Sequence, residues 1–523
     1  MVPSILLAVS LIYVGILGVI STDFGRHWDE PRIIKSVANS VETGLLLPRW
    51  YNYPSLSYDI ALITSIPQAI LNALWAESGL KRDKVMEYLL SPSFKFHLRS
   101  VFFLLSICSG LAIYFFVRSL SGSAWIGLFG ALALISSWEF IYHARWIAPD
   151  AILAFLISCS LASQYHILTT KCHRQRFFWI VISAALAGLC IGTKYTGGIV
   201  FVPLLFAIGL AHKTEPHRSS TTLLAVTSIL IAGVIFLVTT PGSILEPEKF
   251  LRHVLFEIKH YSTGHRGYTV AAGLDHLYKM LTYLFLVTPS KNAAAAVTAS
   301  TLALIGIVFV VRTQPRYAVW LLSVPILYIC YMSLQSVMFA RNYLLLLPYL
   351  SVLTSLGLFA LTRGARNKYP LWFLILGFSI FFLFYNLSIA TRSSLSIFSR
   401  SAPPPRVALE RHIAASPETI FYLSPASCDL FEVGSTERYT NVTSRIETSD
   451  RLIFLSSEVA NSTLYKANVP GRYRTVWSQT EEVNWDYYPS WAGNHRILEI
   501  SPTDRELKAL IEEVIPTKGS TGR

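Results

Sequence analysis

The chain has 523 residues, of which 53% are hydrophobic and 14% charged, and its mean hydropathy is +0.47. Soluble globular proteins carry about 25% charged residues, so this composition excludes a soluble enzyme, a disordered chain and a nucleic-acid-binding module. The formal charge of +13 does not restore the last class. The basic residues sit in short loops between apolar runs rather than on one polar face, the pattern of a polytopic membrane protein.

About eleven apolar runs have the roughly 17–25 residues that a bilayer span needs. They fall near residues 4–20, 99–117, 124–143, 151–168, 177–193, 197–211, 221–239, 294–311, 317–333, 343–361 and 370–388. The first has no basic segment ahead of it and no small-x-small cleavage site before Asp23, so it reads as a retained anchor rather than a signal peptide. Arg118, Lys171/Arg174/Arg176, Lys213/Arg218, Arg312/Arg316 and Arg363/Arg366/Lys368 recur on alternate sides. The positive-inside bias makes those loops and the N-terminus cytoplasmic. The longer loops, 21–98 and 240–293, and everything after about 389 then lie on the extracytoplasmic face. A plasma or inner membrane fits this pattern, as does the endoplasmic reticulum in a eukaryote.

Residues 57–76 are apolar, but Asp59 stands near their start and Pro67 interrupts them. They read as an interfacial helix on the outer face. A spanning 57–76 with an outside N-terminus also satisfies the basic loops, and would put Asp29 on the opposite side from Asp150. Residues 276–288 are read in the same way. The membrane-embedded part therefore covers 1–390, with 21–98 as its first outer loop. Residues 403–523 change character: short β-rich runs (TIFYL, RLIFLSS, YRTVW, HRILEI) alternate with helix-like stretches, which predicts a small α/β domain outside the membrane. It carries sequons at Asn441 and Asn461. No two of the six cysteines have metal-ligand spacing, so no structural zinc is expected.

The chemistry-bearing residues cluster in the outer loops. After the first run comes HWDEP, with Asp29 and Glu30 next to the membrane and Pro31 at a helix start. An Asp before a Pro-initiated helix is an ordinary N-cap; the functional reading is a general base at the membrane surface. YHARWIAPDAILAF follows the third run. Arg145 there has the character of a snorkelling anchor, whereas Asp150 opens a helix on the same side as Asp29, and acids at membrane depth are functional by default. Lys194 lies in GTKYTGG, His265 and Arg266 in FEIKHYSTGHRGY, and Arg341 and Tyr343 in MFARNYLLLLP. Cations on the outer face run against the positive-inside bias, and a membrane-borne phosphate accounts for them jointly. The aromatics Trp28, Trp50, Tyr51, Tyr53, Tyr142 and Trp146 read mainly as an interfacial belt. Trp28 and Tyr53, with His265 and Tyr343, are candidates to contact a sugar, although a histidine in such a loop is more often simply solvated.

In this order these motifs resemble the GT-C glycosyltransferases that use polyprenyl-phosphate sugars, in particular the protein O-mannosyltransferase-like group and the lipid A aminoarabinose transferases. The carriers are HWDEP, the Gly44–Pro48 stretch, YNYPSL, ARWIAPDA, GTKYTGG with Pro203, PEKFLRHVLFEIKHYSTGHRG and ARNYLLLLP, over roughly residues 1–390. The resemblance implies a GT-C fold of about eleven spans. It makes Asp29 the catalytic base with Glu30 beside it, brings Asp150 into the site, and gives Lys194, Arg266 and Arg341, with Arg145, to the lipid phosphate. The implied partners are a dolichyl- or undecaprenyl-phosphate-linked sugar, a glycan, lipid or protein acceptor, and membrane lipids, with no nucleic acid. The aminoarabinose transferases carry Glu-Lys-Pro where this chain reads Asn52-Tyr53-Pro54. That glutamate helps hold a metal in them, so the difference argues against a bound divalent metal here and against that particular activity. The resulting expectation is an inverting glycosyltransferase. The competing class is a lipid or polysaccharide transporter, or an inactive GT-C-like scaffold. Transporters usually place charge at mid-membrane, and these apolar runs are nearly charge-free inside.

Overall fold

The computed structural model describes residues 1–22, 29–75, 81–214, 220–265, 268–364, 369–398, 405–423, 441–443, 449–455, 473–478 and 496–500. The chain forms two compact units, the first made of Met1–Thr22, His27–Leu89 and Ser93–Leu395, the second mainly of Ser396–Arg523.

Among the described residues the first unit is built of helices, with one antiparallel bridge between Thr269 and Val337. It opens with α1 (Val2–Ile20), α2 (Glu30–Thr43), α3 (Leu56–Trp75), α4 (Lys81–Leu89), α5 (Pro92–Ile107), α6 (Ser109–Ser121), α7 (Ala124–Ile135), α8 (Trp138–Ala144), α9 (Pro149–Thr169) and α10 (His173–Thr193). A 3₁₀ segment, Tyr195–Val200, leads into α11 (Phe201–Thr214), followed by α12 (Thr221–Thr239), α13 (Gly242–Leu245), α14 (Pro247–Thr263) and α15 (Leu274–Thr282). A π turn over Tyr283–Val287 precedes α16 (Ala293–Thr313) and α17 (Pro315–Ser333); a second 3₁₀ segment, Ala340–Leu346, precedes α18 (Leu347–Gly364) and α19 (Tyr369–Phe398).

Ten of the described helical stretches are long and apolar enough to cross a membrane, and eleven if the pair Ala124–Ile135 and Trp138–Ala144, bent by 59°, counts as one span. Each coincides with one of the eleven runs expected from hydropathy. The last helix departs from its run, which ends near 388: helix continues through the more polar SIATRSSLSIF to Phe398. Apolarity locates a span but not the helix end, because Ser, Arg and Thr can continue a helix once they leave hydrocarbon. α3 contains Pro67, and its apolar part, Leu56–Leu71, is shorter than the spans. Ile63, Ile66, Ile70 and Leu74 are exposed along it at helical spacing. α14 likewise has no buried residue and exposes Leu251, Leu255 and Ile258.

Between spans the packing is close. A Cβ on Gly306 of α16 would come within 1.9 Å of the Leu353 carbonyl oxygen, and one on Gly357 of α18 within 1.8 Å of that of Leu302. Small residues let the two backbones touch, which is how helices gain contact where lipid supplies no hydrophobic drive. Polar side chains inside the bundle are bonded to each other: Trp320 Nε1 donates to Gln164 Oε1 at 3.0 Å, and Gln164 Nε2 donates to Ser160 Oγ at 2.9 Å.

The second unit holds α20 (Pro405–Ala414) and the strands β1 (Phe421–Leu423), β2 (Val442–Thr443), β3 (Arg451–Leu455), β4 (Tyr473–Ser478) and β5 (Arg496–Ile500), ordered β2-β1-β3-β5-β4 in one sheet. β1 runs parallel to β2 and β3, whereas β5 pairs antiparallel with β3 and β4. His412 of α20 bonds Glu499 of β5. The Asn441 amide donates to the carbonyls of Ile413 and Ser416 at 3.3 and 3.1 Å, so this sequon asparagine closes the end of α20 and is buried. Asn461 lies outside the described residues.

Candidate active site

The two acids of the first loop have different surroundings. Asp29 occupies the N-cap position of α2, with Pro31 in the first turn, yet its side chain makes no capping hydrogen bond. Its Oδ2 lies 3.3 Å from Nη2 of Arg341 and accepts from the Tyr53 hydroxyl at 3.4 Å. Glu30, 1% exposed, turns into the protein. Arg99 clamps it in two-pronged fashion, Nε to Oε1 at 2.8 Å and Nη2 to Oε2 at 2.6 Å, and the backbone N–H of Ile147 adds a bond to Oε1 at 3.1 Å. Arg99 also reaches the Thr22 carbonyl at 2.5 Å and lies over the Trp146 ring, 5.0 Å from its centroid. Through Arg99, Glu30 thereby ties the middle of α5 to the segments that follow α1 and α8, beside Asp29. Sequence reasoning passed over Arg99. The signal was present, since it is a cation at the start of an apolar run, as Arg341 is.

Asp150 sits in the first turn of α9, where Ala148 rather than the acid is the cap. Its Oδ1 accepts from Lys194 Nζ at 2.6 Å, and its Oδ2 lies 3.8 Å from Nε of Arg341. Lys194 is placed by a break: α10 ends at Thr193, Lys194 is extended (φ −153°, ψ 136°), and the 3₁₀ turn follows at once. That turn folds back so tightly that a Cβ on Gly197 would stand 2.2 Å from the Cys190 carbonyl oxygen, so a glycine is required. The same ammonium donates to Asn342 Oδ1 at 2.7 Å, which also accepts from the Tyr261 hydroxyl at 3.2 Å. Asn342 and Arg341 share the 3₁₀ segment before α18, and Tyr328 holds it by donating to the Asn342 carbonyl at 2.9 Å. Asn342 and Tyr261 were not anticipated. A neutral amide in an apolar run gives no charge signal, and only the fold brings it to Lys194.

Tyr53 stands among these groups. Arg341 Nη2 donates to its hydroxyl at 3.2 Å, and Lys194 Nζ lies 5.9 Å from its ring centroid. Burial holds the Tyr53 phenol well above its ordinary range, against the opposing pull of Arg341, so it stays a neutral hydroxyl. Its neighbours dock the first loop onto α14: Tyr51 hydroxyl donates to Glu246 at 2.6 Å, Asn52 Nδ2 to Glu257 at 2.5 Å, and Tyr51 N–H to His253 Nδ1 at 2.9 Å. Tyr195 adds a bond to the Tyr51 carbonyl at 2.7 Å. Burial, then Glu246, raises the Tyr51 phenol.

The remaining candidates are placed as follows. Arg145 is buried and donates to Ser394 near the end of α19 at 2.5 Å. His265 shares a 2.8 Å hydrogen bond with His260 and lies edge-on to Phe339, over which Arg341 also sits. Burial, then His260 and Arg341, lowers its basicity. Tyr343 is buried, its hydroxyl 2.6 Å from His276 Nε2. Trp28 and Arg266 fall outside the described residues.

Two carboxylates and two cations thus meet at one end of the bundle, supplied by α2, α9, the α10 break and the segment before α18. Their charges cancel, which offsets the cost of burying them. An arriving anion can claim Lys194 and Arg341, leaving a carboxylate free to accept a proton. This donor set does not suit a divalent cation: Asp29 and Asp150 already face Arg341 and Lys194, and Asn52, where the resemblance has a glutamate, is tied to Glu257. Among the described residues no three His, Cys, Asp or Glu side chains gather as a metal site would need.

Comparison with known proteins agrees with this architecture. Residues 80–250 match the family of dolichyl-phosphate-mannose-protein mannosyltransferases. The crystal structure of ArnT from Cupriavidus metallidurans in the apo state superposes with a TM-score of 0.56 at 14% identity, covering 94% of this chain and 97% of that one. ArnT of that organism bound to undecaprenyl phosphate gives 0.54 at 13% identity, covering 96% and 98%. An uncharacterized protein of Aquifex aeolicus (strain VF5) is 33% identical over 106 residues, 20% of this chain and only 21% of that protein's length. The family match thus runs from α4 to the start of α14, the fold over nearly the whole chain is that of ArnT, and the many long apolar helices make this a multi-pass membrane protein.

Proposed function

We infer that the protein transfers a sugar from a polyprenyl-phosphate donor to an acceptor hydroxyl in one step, with inversion at the anomeric carbon. The observation that supports this reading is the direct contact of Asp29 and Asp150 with Arg341 and Lys194. An acid–base group and a phosphate-binding pair are what a phosphate leaving group requires. The undecaprenyl phosphate in the ArnT structure supports the choice of donor class.

In this mechanism the donor phosphate displaces Asp29 from Arg341 and joins Asp150 and Asn342 as a partner of Lys194. Asp29, released from Arg341, takes the proton of the acceptor O–H. That oxygen attacks the anomeric carbon from the side opposite the phosphate, and the carbon–oxygen bond to phosphate breaks with its electron pair going to the phosphate. The products are the glycoside, polyprenyl phosphate and protonated Asp29. Lys194 and Arg341 meet the second negative charge that forms on the phosphate, commonly the largest catalytic contribution. Glu30 holds Arg99 and the frame around Asp29, and the neutral Tyr53 hydroxyl orients Arg341. Arg145 is assigned to the lipid phosphate and His265 and Tyr343 to the sugar; Arg266 and Trp28 take the same two roles from the sequence alone. The N-terminus is assigned to the cytoplasm, with the active end and the C-terminal unit on the other face. The acceptor is a glycan, a lipid or a protein.

A transporter or an inactive scaffold would share the fold but has no use for a carboxylate released by an anion. The experiment is to incubate purified protein with undecaprenyl-phosphate hexoses and pentoses and measure released undecaprenyl phosphate. Release that disappears in Asp29→Asn supports the transferase; no release from any donor, with candidate acceptors present, refutes it.

A further inference from the structure

Asp150 and Asn342 each grip Lys194 with one end: Asp150 Oδ1 is 2.6 Å and Asn342 Oδ1 2.7 Å from the same ammonium nitrogen. The other ends, Asp150 Oδ2 and Asn342 Nδ2, are buried and have no hydrogen-bond partner among the described residues. The two residues are 3% and 2% exposed. Their orientation is not arbitrary. An ammonium and the Tyr261 hydroxyl both point at Asn342 Oδ1, and an ammonium has no lone pair to offer, so the amide cannot be flipped. The site therefore holds one fixed acceptor and one fixed donor, adjacent through Lys194. Groups of this kind carry a desolvation cost until something binds them.

We propose that Asp150 Oδ2 and Asn342 Nδ2 form a clamp for one hydroxyl of the transferred sugar, the hydroxyl donating to Asp150 and accepting from Asn342. This rests on the transferase reading above and names its specificity. A phosphate oxygen only accepts; it satisfies Asn342 and sets like charge against Asp150. An ammonium only donates, satisfying Asp150 and leaving Asn342 unmade. A hydroxyl does both. The clamp lies across Arg341 from Asp29, since Arg341 Nε is 3.8 Å from Asp150 Oδ2 and its Nη2 3.3 Å from Asp29. The substrates are then neutral sugars with a free hydroxyl at the clamped position, and sugars that are deoxy or carry an amine there are rejected.

The test takes the best donor found in the undecaprenyl-phosphate panel and its monodeoxy analogues. It compares kcat/KM for wild type, Asn342→Asp, which keeps an oxygen for Lys194 and Tyr261, and Asn342→Leu, which adds no charge. One deoxy analogue should lose about 100-fold with wild type, the size expected when a buried donor and acceptor are left unpaired. Both variants should lose a comparable factor on the parent sugar and almost nothing more on that analogue. Affinity for undecaprenyl phosphate without a sugar should change less than about threefold in Asn342→Leu. Additive losses at every deoxy position overturn the clamp, as does an equal loss of affinity for the sugar-free lipid, which would assign Asn342 to the phosphate. Both outcomes leave transfer itself intact, whereas failure of the transferase reading would show as no transfer by wild type.

Discussion

Adjacent side chains in the DEP motif are asked to do opposite things. Asp29 has contacts that a ligand can replace, because Arg341 can turn from it to a phosphate. Glu30 is closed on Arg99 by two short bonds inside the protein. The Asp29→Asn protein should fold as wild type and lose transfer by at least about 100-fold, the usual worth of a general base; wild-type rates would remove Asp29 from that role. Glu30→Gln should instead lower thermal stability in detergent, since it leaves the buried Arg99 charge uncompensated, a loss of about 3–5 kcal/mol for pairs of this kind. An unchanged melting temperature for Glu30→Gln would show that the pair contributes little to the fold.

At the scale of elements, the site depends on where helices stop. Lys194 reaches both Asp150 and Asn342 because α10 ends one residue earlier and the next turn is tight enough to demand Gly197. Gly197→Ala should push this turn off the Cys190 carbonyl and move Lys194; a shift of about 1 Å can cost about 100-fold in rate. Gly198→Ala is the control, because its Cβ would meet only Ile191 at 3.5 Å, and should retain activity. The docking of the first loop on α14 has its own signature. His253 Nδ1 accepts the Tyr51 N–H and must stay neutral to do so. Burial, then Lys249 and Arg252, lowers its basicity below that of a free histidine. The folded state therefore resists the proton that the unfolded chain accepts, so this contribution is complete above the ordinary histidine pKa of about 6.5 and fades as pH falls below it. Melting curves from pH 8 to 5 should show a smaller acid loss for His253→Asn, whose oxygen can accept the same bond without titrating; identical curves would dismiss the effect.

For the whole molecule, orientation is the quantity to measure. Cys172 is exposed between α9 and α10, in a loop that the positive-inside expectation assigns to the cytoplasm. With the other cysteines replaced, a membrane-impermeant maleimide should label Cys172 in inside-out vesicles and not in intact cells. Labelling from outside would reverse the assignment of the active end. In the second unit, the Asn441 amide is spent on two backbone carbonyls. Expression in a glycosylating host should leave Asn441 bare by peptide mass spectrometry, and a glycan there would mean that this corner opens.

Hydropathy alone was enough to locate the ten or eleven described helical stretches that can cross a membrane, because a bilayer demands long apolar helices and length is written directly in the chain. The motifs also singled out Asp29, Asp150, Lys194 and Arg341, which the structure brings into contact, since charged residues stand out against an apolar background. Sequence could not separate Asp29 from Glu30. They are neighbours in the chain, and only the packing of α5 and the segments that follow α1 and α8 around Arg99 closes one of them off. Nor could it find Asn342, an uncharged residue whose meaning comes from a lysine 148 positions away. Composition and period report how each segment meets lipid or water, whereas contacts between distant segments, and the hydrogen bonds left unmade there, exist only once the helices have packed.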